Sequence, residues 1–215
     1  MEKDLGNYRK SYEKSSLLKN EVPENPMELF QKWFYEIDAH FEIDETNAMT
    51  LSTIGSDGFP KGRIVLLKKY TFEGFIFYTN YSSEKGKSIK ANPNVSLSFF
   101  WHAAERQIVI KGKAEKIAEN LSDGYFESRP RGSQLGALVS EQSNVIENRE
   151  ELETRLKKLE RTYEGREVPR PKNWGGYIVK PVELEFWQGR PNRLHDRIRY
   201  KLQGDYSWKI ERLQP

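Results

Sequence analysis

The chain has 215 residues, of which 36% are hydrophobic, 13% aromatic and 31% charged; 35 Lys and Arg against 32 Asp and Glu leave a formal net charge of +3. That length fits one domain with elaborations, and such a chain should bury roughly 70% of its unfolded surface. The charge is too mild to argue for a nucleic-acid partner, and the absence of cysteine excludes disulfides, thiolate catalysis and Cys-based zinc sites.

Residues 1–24 are polar and are expected to be mobile unless something docks them. They lack the apolar run of a signal peptide. No stretch approaches the roughly 20 apolar residues that cross a bilayer, so a soluble, cytoplasmic protein without a membrane partner is expected. Asn25-Pro26 is a helix start, because Asn caps well and Pro suits the first turn. Leu29, Phe30, Trp33, Phe34, Ile37 and Phe41 follow at helical spacing. From residue 48 the period changes to two. Ala48–Ile54 reads as a strand, Ser56-Asp57-Gly58 as a turn, Arg63–Lys69 as a second strand, and Phe75–Thr79 as a third after Glu73-Gly74. These three are expected to form a meander.

Ser83–Ala91 reads as a short helix stopped by Asn92-Pro93, and two more strands follow at Val95–Trp101 and Gln107–Lys116. Residues 118–140 read as two short helices broken at Pro130. Glu150–Tyr163 reads as a charged, mostly solvated helix. After a Pro-rich loop at Val168–Pro171, strands are expected at Trp174–Phe186, Arg197–Leu202 and Tyr206–Arg212. The whole pattern is mainly β with peripheral helices, an α+β chain whose antiparallel strands make a closed or partly open barrel. Residues 25–215 are taken as a single domain.

Four segments carry residues suited to chemistry. In Arg63–Lys68, alternation places Arg63, Val65 and Leu67 on one face and Ile64, Leu66 and Lys68 on the other; the plainer reading is a core strand with charged ends. Tyr78-Thr79-Asn80 runs into Ser82, Ser83 and Lys85 at a helix N-terminus, where free N–H groups and a cation suit a phosphate; the plainer reading is ordinary capping. Tyr125, Arg129, Arg131 and Ser133 combine a phenol, guanidinium forks and a hydroxyl, a set able to grip a phosphate dianion; the plainer reading is a solvated helix end. Phe186-Trp187-Gln188-Gly189 followed by Arg193-Leu194-His195-Asp196-Arg197 offers a flat ring cover, two cations and an imidazole; here His195 and Asp196 are open to a reading as a local pair. No Walker A or Gly-x-Gly-x-x-Gly pattern occurs, and three histidines without ligand-like spacing argue against a metal.

In these segments the chain resembles the pyridoxine/pyridoxamine 5′-phosphate oxidase family, on RIVLLK at 63–68, FYTN at 77–80, SRPRGSQLGALVSEQS at 128–143, FWQG at 186–189 and RLHDR at 193–197. The resemblance runs from about residue 8 to the C-terminus and implies an FMN-binding split β-barrel and a homodimer with FMN at the interface. It implies oxidation of pyridoxamine and pyridoxine 5′-phosphate to pyridoxal 5′-phosphate, with O2 reduced to H2O2, in vitamin B6 biosynthesis and salvage. It gives FMN phosphate and ribityl contacts to Arg63, Lys85, Gln142 and Ser143. Further flavin contacts fall to Ile64, Val65, Leu66, Leu67, Tyr78, Thr79 and Gln107, with Trp187 and Arg197 reaching over from the partner chain. The substrate phosphate falls to Lys68, Tyr125, Arg129 and Ser133. Arg193, Leu194 and His195 would lie at the pyridine ring, with Arg193 and His195 as catalytic residues, and Arg9 and Tyr12 resemble part of a lid. Glu84 stands where relatives often carry a basic residue, and a carboxylate pointing at a phosphate would repel it.

Other classes fit parts of the pattern. A flavin barrel using a nicotinamide or another donor shares the fold and FMN, and the oxidase gains over it from the second phosphate seat at 125–133 and from RLHDR at 193–197. A barrel for single-stranded nucleic acid needs clustered cations along a groove, which this sequence lacks. A non-catalytic carrier of pyridoxal phosphate would bind without releasing peroxide.

Overall fold

The computed structural model describes residues 3–215. Helix α1 spans Pro26–His40. The Asn25 side chain accepts the Met27 N–H at 2.9 Å, and Pro26 occupies the first turn, so the start falls where local chemistry puts it. Leu29, Phe30, Trp33 and Ile37 form its buried stripe.

The strands are β1 (Ala48–Ile54), β2 (Pro60–Leu66), β3 (Lys69–Thr71), β4 (Gly74–Asn80), β5 (Asn94–Trp101), β6 (Arg106–Lys116), β7 (Trp174–Gln188), β8 (Asp196–Leu202) and β9 (Trp208–Leu213). They make one nine-stranded sheet in the order β2-β1-β5-β6-β7-β4-β3, with β8 on β7 and β9 on β8. The two ends of that path, β2 and β3, are consecutive in the chain and joined only by Leu67-Lys68. The order therefore curls back on itself as a barrel does. Besides β6, strand β7 serves two further neighbours in turn. Its Trp174–Val179 half pairs antiparallel with β4, and its Glu183–Gln188 half pairs antiparallel with β8. Pro181 falls between the two registers, where a missing N–H is tolerated.

Two expectations need correction. The strand expected at Arg63–Lys69 starts at Pro60 and breaks after Leu66, with β3 resuming at Lys69. The expected meander does not form either: β4 is bonded to β7 and β3, and β2 ends the path beside β1. Burial gives the reason. All but one of the β4 residues are buried, whereas β2 has none buried. A buried strand must have the backbone groups of both its edges paired, and an exposed one can serve as an end.

The chain divides into two compact units. The first holds the described residues up to Thr50, with Ser96–Lys111 and Pro181–Pro215; the second holds Leu51–Val95 and Gly112–Lys180. In the first, Phe30 meets Phe99 edge-on at 5.4 Å, Trp33 meets Phe186 at 5.3 Å, and Phe186 meets Tyr200 at 5.7 Å. Tyr200 satisfies its buried hydroxyl by donating to the Pro23 carbonyl at 2.8 Å.

The second unit carries α2 (Glu84–Ala91), α3 (Glu119–Glu127), α4 (Arg131–Val139) and α5 (Arg149–Thr162). Phe126 of α3 and Leu135 of α4 form a core with Val168 and Trp174, with Leu156 and Leu159 of α5 packed against it. Otherwise α5 is solvated and buries no residue completely. Among the described residues no helix is long and apolar enough to cross a membrane.

Candidate active site

The second unit contains a cavity of about 620 Å³, within the size range of cofactor and substrate pockets. Ile64, Val65, Leu66 and Lys68 line it from β2 and the break after it, and Tyr78 and Thr79 from the end of β4. Lys85 enters from α2, Tyr125 from α3, Arg129 and Ser133 from the turn into α4, and Gln142 from the loop beyond α4. These scattered residues are brought together because β2, β4 and the α3–α4 turn meet there.

The α3–α4 turn is set by Pro130, which precedes the first residue of α4 and leaves Ser133 N–H to bond the Pro130 carbonyl at 2.8 Å. On one side Arg129 lies with its guanidinium carbon 4.7 Å from the Trp174 ring centroid. Tyr78 stacks on Tyr125 at 3.9 Å and on Trp174 at 5.5 Å, a pile of parallel rings that fixes this wall. On the other side Arg131 turns away from the cavity. It donates to the Arg166 carbonyl at 3.0 Å and to the Tyr163 carbonyl. Arg131 therefore leaves the phosphate cluster proposed for it from sequence, because two carbonyls beyond α5 hold it.

Among the described residues, two buried side-chain nitrogens have no hydrogen-bond partner: Arg63 Nη2 and Arg129 Nη1. Arg63 Nη1 is engaged, donating to the Leu51 carbonyl at 3.1 Å and to Thr53 Oγ1 at 2.7 Å. Burial pushes the Arg63 guanidinium down from its ordinary value, with Glu84 opposing. Burial likewise lowers Arg129, and burial together with Arg63 lowers Lys85. Neither guanidinium has an acid bonded to it. A buried donor without a partner is costly, and an anion brought by a ligand would satisfy each of these nitrogens. These residues fit a ligand pair carrying two phosphates.

Around Lys85 the polar groups interlock. Its ammonium lies 3.3 Å from Gln142 Oε1, which also accepts from Thr79 Oγ1 at 3.2 Å. Ser143 sits at φ 77° and accepts the Glu84 N–H at 3.2 Å. Ser83 fulfils the plainer reading, since its buried hydroxyl accepts the Gly86 N–H as the cap of α2. Glu84 does not aim a bare charge at the cavity. Lys61 clamps both its oxygens, at 2.8 and 2.6 Å. Leu67 is buried and Ile64 is 64% exposed, so the Arg63–Lys68 segment is an exposed sheet end and not the core strand of the plainer reading. Burial, with Tyr125 and Tyr81 nearby, pushes the Tyr78 phenol up, which keeps it a neutral donor.

The remaining candidates belong to the first unit. Trp187 lies 4.7 Å from His195, and Tyr12 meets both rings edge-on at 5.7 Å. His195 Nδ1 accepts the Arg190 N–H at 3.1 Å. Asp196 is not its partner: that buried carboxylate bonds Arg212 and the Leu17 N–H. The local pair proposed from sequence does not form, because Arg212 and the Leu17 N–H hold the Asp196 carboxylate while the Arg190 N–H takes His195 Nδ1. Asn192 and Arg193 both adopt positive φ, 57° and 62°, which throws Arg193 and Leu194 outward and exposed. Arg197 grips Glu185 across the β7–β8 pair at 2.7 and 3.1 Å. Gln107 lies half-buried on β6, and Arg9 is exposed with Nε on the Gly6 carbonyl at 3.1 Å.

Asn80 and Ser140, which stand in the FYTN and SRPRGSQLGALVSEQS segments but to which the resemblance gives no contact, also line the cavity; sequence reasoning missed Trp174, another lining residue, and Glu105, a buried acid. Trp174 opens a strand and carries no local mark of a site. Its role depends on Arg129, which is distant in sequence. Among the described residues no cluster of three or more His, Cys, Asp or Glu is placed to hold a metal.

Comparison with known proteins adds to this geometry. Residues 37–163 match the family model described as pyridoxamine 5′-phosphate oxidase, and residues 174–215 match the pyridoxine 5′-phosphate oxidase C-terminal dimerisation region. The chain is similar to the pyridoxine/pyridoxamine 5′-phosphate oxidase of Flavobacterium psychrophilum, 69% identical over 99% of this chain and 100% of that one. The enzyme of that name from Christiangramia forsetii is 54% identical over the full length of both. Among solved structures, PhzG from Burkholderia lata, in complex with tetrahydrophenazine-1-carboxylic acid, superposes with TM-score 0.86 and 30% identity over 93% of this chain and 98% of that one. A pyridoxamine 5′-phosphate oxidase-related, FMN binding protein from Nostoc punctiforme shares the fold, with TM-score 0.69 and 13% identity over 86% of this chain and 96% of that one.

Proposed function

Because the chain belongs to the pyridoxamine 5′-phosphate oxidase family, we propose that it oxidises pyridoxamine and pyridoxine 5′-phosphate to pyridoxal 5′-phosphate with bound FMN and O2. The observation that carries this is the pair of buried guanidinium nitrogens, Arg63 Nη2 and Arg129 Nη1, left without partners. Two dianionic tails need two such seats. Arg63, Lys85, Gln142 and Ser143 take the FMN phosphate and ribityl chain, with Lys61 neutralising Glu84 beside them. The segment Ile64–Leu67, with Tyr78, Thr79 and Gln107, contacts the rest of the flavin. Lys68, Tyr125, Arg129 and Ser133 take the substrate phosphate.

When bound, FMN would supply the redox chemistry, taking a hydride from substrate C4′ and passing its two electrons to O2 to give H2O2; from the amine, water would then displace the nitrogen as ammonia. The protein contributes placement and charge. Holding both phosphates fixes the reacting carbon at the contact distance hydride transfer needs, about 3–3.5 Å. Arg193 and His195 orient the pyridine ring and stabilise charge as the hydride leaves. Arg9 and Tyr12 cover it. The homodimer formed through residues 174–215 sets Trp187 and Arg197 of each chain at the flavin of the other.

A second reading comes from the likeness to PhzG, held in complex with tetrahydrophenazine-1-carboxylic acid: a protein of this fold that acts on a compound without a phosphate. The two separate on one measurement. The purified protein should be yellow and release peroxide with pyridoxamine 5′-phosphate, and unphosphorylated pyridoxamine should be a far poorer substrate. Arg129→Gln should raise KM for the phosphorylated substrate roughly 10–100-fold, the worth of one charge-assisted contact, and leave the yellow colour intact. A colourless protein, or equal turnover of the phosphorylated and unphosphorylated amines, rejects the oxidase reading.

A further inference from the structure

Glu105 is 2% exposed and has a left-handed backbone, φ 58° and ψ 39°. No glycine relieves that conformation, and a buried carboxylate is costly unless fully partnered. Its partners come from the N-terminal segment. The carboxylate accepts the Glu13 N–H at 2.8 Å and the Lys14 N–H at 3.1 Å, and the Lys10 ammonium stands 3.3 Å away. The backbone carbonyl of the same residue accepts the Gly189 N–H at 2.8 Å and Gln188 Nε2 at 3.2 Å. One residue thus ties the N-terminal segment with its side chain and the Phe186–Gly189 turn with its main chain.

Tyr12 sits where the two ties meet. A Cβ on Gly189 would lie 2.7 Å from Tyr12 Cγ, so this turn is shaped to admit that ring. Tyr12 in turn contacts Trp187 and His195. The segment is fastened again downstream: Asp196 accepts the Leu17 N–H at 3.0 Å, and Arg190 donates to the Ser15 carbonyl at 2.9 Å. Apart from the Lys10 ion pair and the Tyr12 ring contacts, these ties run to main-chain atoms of the segment, so its backbone carries most of the hold.

We propose that Glu105 is a positioning residue: its carboxylate anchors residues 13–14 and so holds Tyr12 against Trp187 and His195 for the substrate. The kinetic part rests on the oxidase reading; the anchoring part does not. Glu105→Gln keeps the shape but removes the charge that answers Lys10 and leaves the two amides with a weaker acceptor.

The test uses the FMN-loaded full chain. Tryptic cleavage after Lys10 and Lys14 should speed up at least about 10-fold in Glu105→Gln, and KM for pyridoxamine 5′-phosphate should rise about 10-fold with kcat changed less than about 3-fold. Glu105→Asp, which keeps the charge, should recover part of both. Unchanged cleavage overturns the proposal. So does faster cleavage with unchanged KM, because the anchor would then not serve the substrate. If Glu105→Gln does not fold, hydrogen exchange on the unaltered protein decides. The Glu13 and Lys14 amides should exchange at least about 100-fold more slowly than the Ser11 amide, and equal rates would overturn the anchor. A wild-type chain with no oxidase activity that still protects these amides would reject the oxidase reading and leave the anchor standing.

Discussion

His195 shows how neighbours decide what a side chain can do. Burial pushes its imidazole below the ordinary value of 6.5, and the adjacent Arg193 lowers it further against the opposing pull of Asp196. The neutral ring is the form whose Nδ1 accepts the Arg190 N–H. The unfolded chain binds its proton near 6.5, and the folded site binds it only at lower pH. The contribution to stability is therefore present above 6.5 and is lost as pH falls through the folded value. Removing the Arg193 charge with Arg193→Gln should raise the His195 titration midpoint, followed by its ring-proton NMR signal. A midpoint that does not move, or moves down, would contradict the electrostatic account.

The elements are set by residues that tolerate close approach. Gly74 opens β4 at φ 153°, and a Cβ there would collide with the Val179 carbonyl on β7. Positive φ and a main-chain collision together make Gly74→Ala costly, by about 2–3 kcal/mol. For a chain of this size that is a fall in melting temperature of about 5–10 °C. A melting curve shifted by less than about 1 °C would show that the β4–β7 contact yields. The effect should reach the cavity, since the C-terminal half of the same strand supplies Tyr78 and Thr79 to it. By contrast, α5 is held by a few leucines and many surface charges, and exposed ion pairs contribute little.

The whole molecule is expected to work as a pair. The chain carries the family's C-terminal dimerisation region at residues 174–215, and large apolar side chains stand exposed, among them Phe59 at 73%, Ile64 at 64%, Phe72 at 70% and Phe100 at 59%. Side chains of this kind are available to be covered in a dimer. Sedimentation of the FMN-bound protein at micromolar concentration should give about twice the 25.3 kDa chain mass. A monomer that retains FMN would remove the interface from the cofactor site.

Local chemistry fixed much of this molecule in advance. Asn25-Pro26, Ser83 and Pro130 mark helix starts by capping and ring geometry. The period-two runs mark strands; Tyr125 and Arg129 both reach the cavity, the first from α3 and the second from the turn after it. Family likeness named the residues, and eleven of them line one cavity. The sequence could not say that β4 leaves β2 for β7, because partner choice depends on burial over the whole sheet. It could not separate Arg129 from Arg131 either. They are two residues apart and chemically identical, and only the positions of Trp174 and the Tyr163 and Arg166 carbonyls send one inward and the other out. Glu105 was silent for the same reason. An acid next to an arginine reads as surface until the fold closes main-chain amides from residues 13 and 14 around it, because hydrogen bonds between distant segments exist only once the tertiary structure has formed.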